Sequence, residues 1–141
     1  MSLSDTSRKS LDASRKRPLV LLVDDNVQQR EMYEVALEPD FEIVTAGRGA
    51  DAIVLARERH PDTIVLDVRM PGMSGVQVCE HLKSDPATER IPVIMLTGAD
   101  DERVRSDCAQ AGAFAVLGKP CPHESLLRAI EAACAKGSER R

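Results

Sequence analysis

From residue 18 onward the chain switches repeatedly between two hydrophobic periodicities, and this alternation leaves few folds open to it. Short apolar, β-branched runs occur at 19–23, 41–46, 63–66, 92–96 and 113–117, each of strand length. Between them apolar residues recur at helical spacing: Val76, Cys79 and Leu82, then Val104, Cys108 and Ala111, then Leu126, Ile130 and Ala133. Segments 27–37 and 50–59 are helix-rich in composition. Breakers fall at the joints: Pro39, Gly47, Gly49, Pro61, the PGMSG stretch at 71–75, Pro86, Gly112 and Pro120. Five strands alternating with five helices predict an α/β fold, (βα)5, with a doubly wound parallel sheet covered on both faces, because parallel neighbours need right-handed crossovers.

A chain of 141 residues is the size of one domain. No apolar run approaches the roughly 20 residues of a membrane helix, and the polar N-terminus lacks an apolar h-region, so no membrane insertion and a cytoplasmic location are expected. Cys79, Cys108, Cys121 and Cys134 are far apart and form no metal spacing; they are expected to be reduced, most of them in the core. The net charge is −4, but residues 1–17 hold five basic and two acidic side chains, leaving −7 on the rest. The sequence therefore divides into a flexible basic arm over 1–17, a folded acidic domain over 18–136 and a short polar tail over 137–141. With Tyr33, Phe41 and Phe114 as its aromatic residues, the acidic body offers nucleic acid no direct binding face.

In an open α/β sheet, ligands bind beyond the carboxyl ends of the strands. The first apolar run, LVLLV, stops at Asp24 and Asp25. A helix cap from Asp25 or Asn26 explains one acid, and a hard cation explains the pair; from this stretch alone both readings stand. The third strand ends in Asp67, the fourth in Thr97 and the fifth in Gly118, Lys119 and Pro120. Three carboxylates, a hydroxyl and an ammonium on one rim suit Mg²⁺ and phosphoryl transfer, with a carboxylate as nucleophile. There is no GxxxxGK[ST] loop for a nucleotide donor.

The ordered set LLVDDN (21–26), IVLDVRMPGMSG (64–75), PVIMLTG (92–98) and GAFAVLGKP (112–120) resembles a response-regulator receiver domain of two-component signalling, over most of the chain from Pro18 to Ala135. The resemblance implies a flavodoxin-like strand order 2-1-3-4-5. It implies Asp67 as phosphoacceptor, Asp25 as a direct Mg²⁺ ligand, Asp24 as the acid holding metal-bound water, and the backbone carbonyl of Arg69 as a further ligand. Thr97 matches the hydroxyl that follows the phosphoryl group, Lys119 the cation that pairs with it, and Pro120 a cis-proline. Arg69 and Ala99 match positions that tune the lifetime of the acyl phosphate. A histidine kinase or histidine phosphotransfer protein is implied as donor, with a downstream protein target and a homodimer as further partners. The chain would then be no enzyme beyond catalysing its own phosphorylation and dephosphorylation, and either a stand-alone receiver or one receiver of a longer protein.

The strand-five position where such domains carry Tyr or Phe is Val116, and Phe114 is expected to share its strand face by two-residue alternation. Two other readings remain: a receiver fold used as an interaction module without phosphorylation, and a Mg²⁺-dependent aspartate-nucleophile phosphatase. Motif order speaks against the phosphatase, since the acid pair comes first and Asp67 is followed by Val68 and Arg69 rather than by a DxD pattern.

Overall fold

The structure, a computed structural model, describes residues 17–98 and 102–139. Ala99 and residues 1–16 of the basic arm lie outside the described residues. The elements run β1 (Leu19–Val23), α1 (Val27–Leu37), β2 (Glu42–Ala46), α2 (Gly49–Arg59), β3 (Thr63–Asp67), α3 (Gly75–Ser84), β4 (Val93–Thr97), α4 (Glu102–Gln110), β5 (Ala115–Gly118) and α5 (His123–Glu139). All four strand pairings are parallel and the order is β2-β1-β3-β4-β5. The last helix continues to Glu139, into the 137–141 segment read as a tail.

Because strand side chains alternate, each strand feeds two cores. Leu21, Val23, Ile64, Leu66, Val93 and Met95 face α2, α3 and α4, where they meet Ala52, Ala56, Val78, Cys79, Leu82 and Cys108. Val20, Leu22, Val65, Ile94 and Leu96 face α1 and α5, where they meet Tyr33, Leu37, Leu126, Ile130 and Ala133. Such burial on both faces explains why β1, β3 and β4 read as continuous apolar runs. Each buried Leu or Ile contributes roughly 1.5–3 kcal/mol, so this double layer, rather than helix propensity, holds the helices in place.

Backbone hydrogen bonds account for the strand ends. Phe41 N–H bonds Leu37 O and Ala113 N–H bonds Cys108 O, each closing the turn after a helix, so pairing starts later than the apolar runs. At the other end Asp67 pairs with Leu96 and Thr97 with Gly118, which makes these polar residues members of the ladder. The helices begin where local chemistry satisfies their first N–H groups: Asn26 accepts from Gln29 N at α1, and Ser74 with Gln77 forms a capping box at α3.

Gly75, the first residue of α3, is pressed against the end of β3. Its N–H donates to Val68 O at 2.8 Å. A Cβ there would run into the Asp67 carbonyl oxygen and lie 2.9 Å from Val68 Cα, both backbone atoms. Helix propensity alone favours alanine by about 1 kcal/mol, but rigid backbone cannot give way as a side-chain tip can. Gly75→Ala is therefore expected to lower stability by about 1–3 kcal/mol in urea unfolding; unchanged or increased stability would show that the β3–α3 junction has room to spare.

Candidate functional site

The site is built at the carboxyl edge of β1 and β3, adjacent strands whose outgoing helices, α1 and α3, lie on opposite faces of the sheet. That divergence opens a crevice between them. Asp24 continues the β1 ladder, with its N–H on Ala46 O at 3.1 Å, and is 2% exposed. Its Oδ1 accepts from Asn26 N at 2.9 Å, whereas its buried Oδ2 has no partner. Asp25 is exposed, and carboxylate oxygens of Asp24, Asp25 and Asp67 lie within 4.8 Å of one another. Burial pushes the Asp24 carboxyl above its usual range, with Asp67 and Asp25 adding to the rise, while the Asn26 N–H and Lys119 oppose it.

These three carboxylates can hold a metal ion. The set is chemically suited to a hard divalent cation: all oxygen, triply anionic and left with an orphaned buried oxygen. The choice posed by the adjacent aspartates resolves at Asn26, which is the helix cap, so neither Asp24 nor Asp25 serves α1 in that way.

Lys119 reaches the same crevice from the end of β5. Its Nζ lies 3.0 Å from Asp67 Oδ2 and donates to Gln29 Oε1 at 2.6 Å. Its backbone N–H bonds Thr97 O at 2.7 Å, and the Lys119–Pro120 peptide bond is cis. The alternation that separates the cores also sorts the site. Asp67 follows Val65 on the α1–α5 face, where Lys119 meets it, while Thr97 follows Met95 toward the α4 face and is 1% exposed. Among the described residues, Gly98 has no atom within 4 Å of the place a Cβ would occupy. Arg69 is exposed at the rim, in the loop that follows β3.

Val116 lies opposite Met95 and packs into the core beneath α2, α3 and α4, on the same side as Thr97. Phe114 does not join it. Its N–H still bonds Val93 O of β4 at 2.8 Å, yet its side chain is over a third exposed and its ring lies near the α5 residue Lys136, whose Nζ is 6.0 Å from its centroid. The sequence reading missed two α1 side chains: Gln29, which holds Lys119, and Arg30, whose Nη1 donates to Asp24 O at 2.7 Å. Both lie in the first turns after the acid pair, a position with no chemical signature of its own.

Comparison with known proteins agrees with this geometry. The chain is 40% identical over 112 residues to the response regulator PleD of Caulobacter vibrioides, covering 79% of the chain and 25% of PleD. It is 35% identical over 117 residues to protein PilH of Pseudomonas aeruginosa, covering 82% of the chain and 97% of PilH. A crystal structure of a response regulator receiver domain protein from Clostridium thermocellum superposes with a TM-score of 0.82 at 27% identity, covering 88% of this chain and 99% of that one. The chain thus spans only a quarter of PleD and a smaller share of a longer hybrid kinase. The family model for the response regulator receiver domain matches residues 20–131, a span that takes in the three acids, Thr97 and Lys119 in order, and the chain belongs to that family.

Proposed function

We propose that the chain receives a phosphoryl group on Asp67 from a histidine kinase or a histidine phosphotransfer protein in the cytoplasm, and passes the signal on through its docking surface. The observation that carries this reading is the meeting of three carboxylates within 4.8 Å with an ammonium 3.0 Å from Asp67 Oδ2. An Asp67 oxygen forms the new O–P bond as the P–N bond of the donor breaks and the imidazole keeps the electron pair. Lys119 pairs with a phosphoryl oxygen and the Thr97 hydroxyl donates to another, both gained only in the phosphorylated state. Asp24, Asp25, Asp67 and the Arg69 carbonyl would hold Mg²⁺, which when bound neutralises charge between the donor and the carboxylates. Thr97, drawn toward Asp67, would reshape the face formed by α4, β5 and α5, where a target protein or a second copy docks. With Val116 in place of an aromatic ring, that response rests on backbone movement after Thr97.

Incubation of the wild type with acetyl phosphate and Mg²⁺ is expected to add one phosphoryl mass, detected by intact mass measurement. Asp67→Asn is expected to add none, and EDTA to prevent labelling. An adduct of equal yield on the variant would remove Asp67 from its role.

The two neighbouring acids should separate in metal titrations. Asp25→Asn, which loses a direct ligand, is expected to weaken Mg²⁺ binding more than Asp24→Asn, whose loss is about tenfold; equal losses would mean the two acids share one role. Metal-free stability runs the other way. The folded protein binds the Asp24 proton more tightly than the unfolded chain does, so stability falls as pH rises from 3.8 through the raised value, and the cost is complete above it. Asp24→Asn removes that cost, and the metal-free variant is expected to melt above the wild type at neutral pH, with the gap narrowing as pH falls toward 3.8. A variant that melts lower at every pH would show that burial of the charge is already compensated.

A further inference from the structure

The Lys119 ammonium has two acceptors on different elements, Asp67 Oδ2 at 3.0 Å and Gln29 Oε1 at 2.6 Å. An ammonium only donates, so the amide must present its oxygen. Gln29 is itself fixed: its N–H donates to Asn26 Oδ1 at 2.9 Å, and Asn26 N–H donates to Asp24 Oδ1 at 2.9 Å. A run of hydrogen bonds therefore links Asp24, Asn26, Gln29 and Lys119, and the Lys119–Asp67 ion pair carries it on to the second strand.

We propose that Gln29 is a positioning residue for phosphoryl transfer, its side-chain oxygen holding the Lys119 ammonium beside Asp67 before, during and after phosphorylation; this rests on the reading of Asp67 as phosphoacceptor. Lysine is a point charge on a flexible four-carbon stem and needs an anchor to keep one place. Asp67 provides one only while it is a carboxylate. Conversion to the acyl phosphate takes the negative charge off that carboxyl group and places it on the phosphoryl oxygens, so the attraction at Oδ2 weakens and the anionic partner of Lys119 shifts. Gln29 is neutral in both states, so its hold on Lys119 does not change with the chemistry and does not compete with the phosphoryl group for charge. With one ammonium proton directed to Gln29 and the charge held beside Asp67, the ammonium keeps donors to offer an incoming phosphoryl oxygen. The proton stays on Lys119 throughout.

The test compares initial rates of Asp67 phosphorylation by acetyl phosphate and Mg²⁺ in the full chain for wild type, Gln29→Leu, Lys119→Ala and the double variant. Gln29→Leu is expected to slow labelling about tenfold, the size of one lost hydrogen bond to a charged group, with the melting temperature unchanged. In the Lys119→Ala background the same substitution is expected to add nothing, since the ammonium on which it acts is gone. Losses that multiply would show that Gln29 acts without Lys119 and would overturn the proposal. A second readout does not depend on the residual rate of Lys119→Ala. In ¹⁵N-lysine NMR spectra the anchored Lys119 ammonium is expected to give a slowly exchanging signal in wild type and in Gln29→Glu, which retains an acceptor oxygen, and to lose it in Gln29→Leu. Persistence of that signal in Gln29→Leu overturns the proposal. A wild type that takes no phosphoryl group sinks the phosphoacceptor reading instead, while the ammonium signal still reports whether Gln29 holds Lys119.

Discussion

Mutual repulsion among three carboxylates is the constraint around which the carboxyl edge of the sheet is arranged. Two unit charges 4.8 Å apart repel by on the order of 3 kcal/mol at an effective dielectric of about 20. The unpartnered Oδ2 of buried Asp24 adds a desolvation penalty. Such a cluster persists only where the fold is over-determined around it. The strand order does this, because β1 and β3 are neighbours paired from Val20 with Thr63 to Val23 with Leu66, and the next residues on both strands are the acids. Lys119, arriving from the far edge of the sheet, supplies the opposing charge. The same penalty makes the site selective for what can enter it: a cation relieves the repulsion, and an anion without one increases it.

The layout of the fold was legible because each of its elements carries its own signal. β1 and α1 fall on the segments the apolar pattern marks, since a run buried on both faces and an Asn-capped helix leave little choice. Strand ends were less legible. They depend on where individual N–H groups go, as with Phe41 and Ala113, whose donors belong to the preceding helices. In the site, strand termini placed the chemically active residue types, but not their unequal burial. Asp24 and Asp25 are adjacent, and backbone alternation sends one into the crevice and leaves the other exposed. Gln29 was illegible for a different reason: a glutamine in the first turn of a helix is ordinary, and only the reach of Lys119 across the sheet gives it a role.

The strand-five departure has a similar explanation in packing. Val116 sits within the core that α2, α3 and α4 cover, on the Thr97 side of the sheet, and fills its place as a branched aliphatic residue. An aromatic ring in a strand can trade a buried position for an exposed one by a single rotamer change, whereas valine is stiff at χ1 and has nothing to exchange. Phe114 cannot take over that exchange, because its ring already lies out by the α5 residue Lys136 rather than in the core that Val116 joins. Motion of Thr97 would therefore be transmitted by backbone and by Arg105, whose Nη1 donates to Val116 O at 3.3 Å and so links α4 to β5.

Rigidity is unevenly distributed around Asp67, and that unevenness bears on how a local charge change can spread. On the β3 side, Val68 N–H bonds Leu96 O at 2.9 Å and Gly75 N–H bonds Val68 O at 2.8 Å, so the loop carrying the Arg69 carbonyl is tied at both ends. The close seat of Gly75 on the Asp67 carbonyl fixes it further. On the β4 side, Thr97 is followed by Gly98, where no described atom lies within 4 Å of the place a Cβ would occupy. Among the described residues, the β3 side of Asp67 is thus the more tightly tied of the two. A phosphoryl group on Asp67, as proposed above, would therefore find its give on the Thr97 side, while the tied β3 loop would keep the Arg69 carbonyl in place.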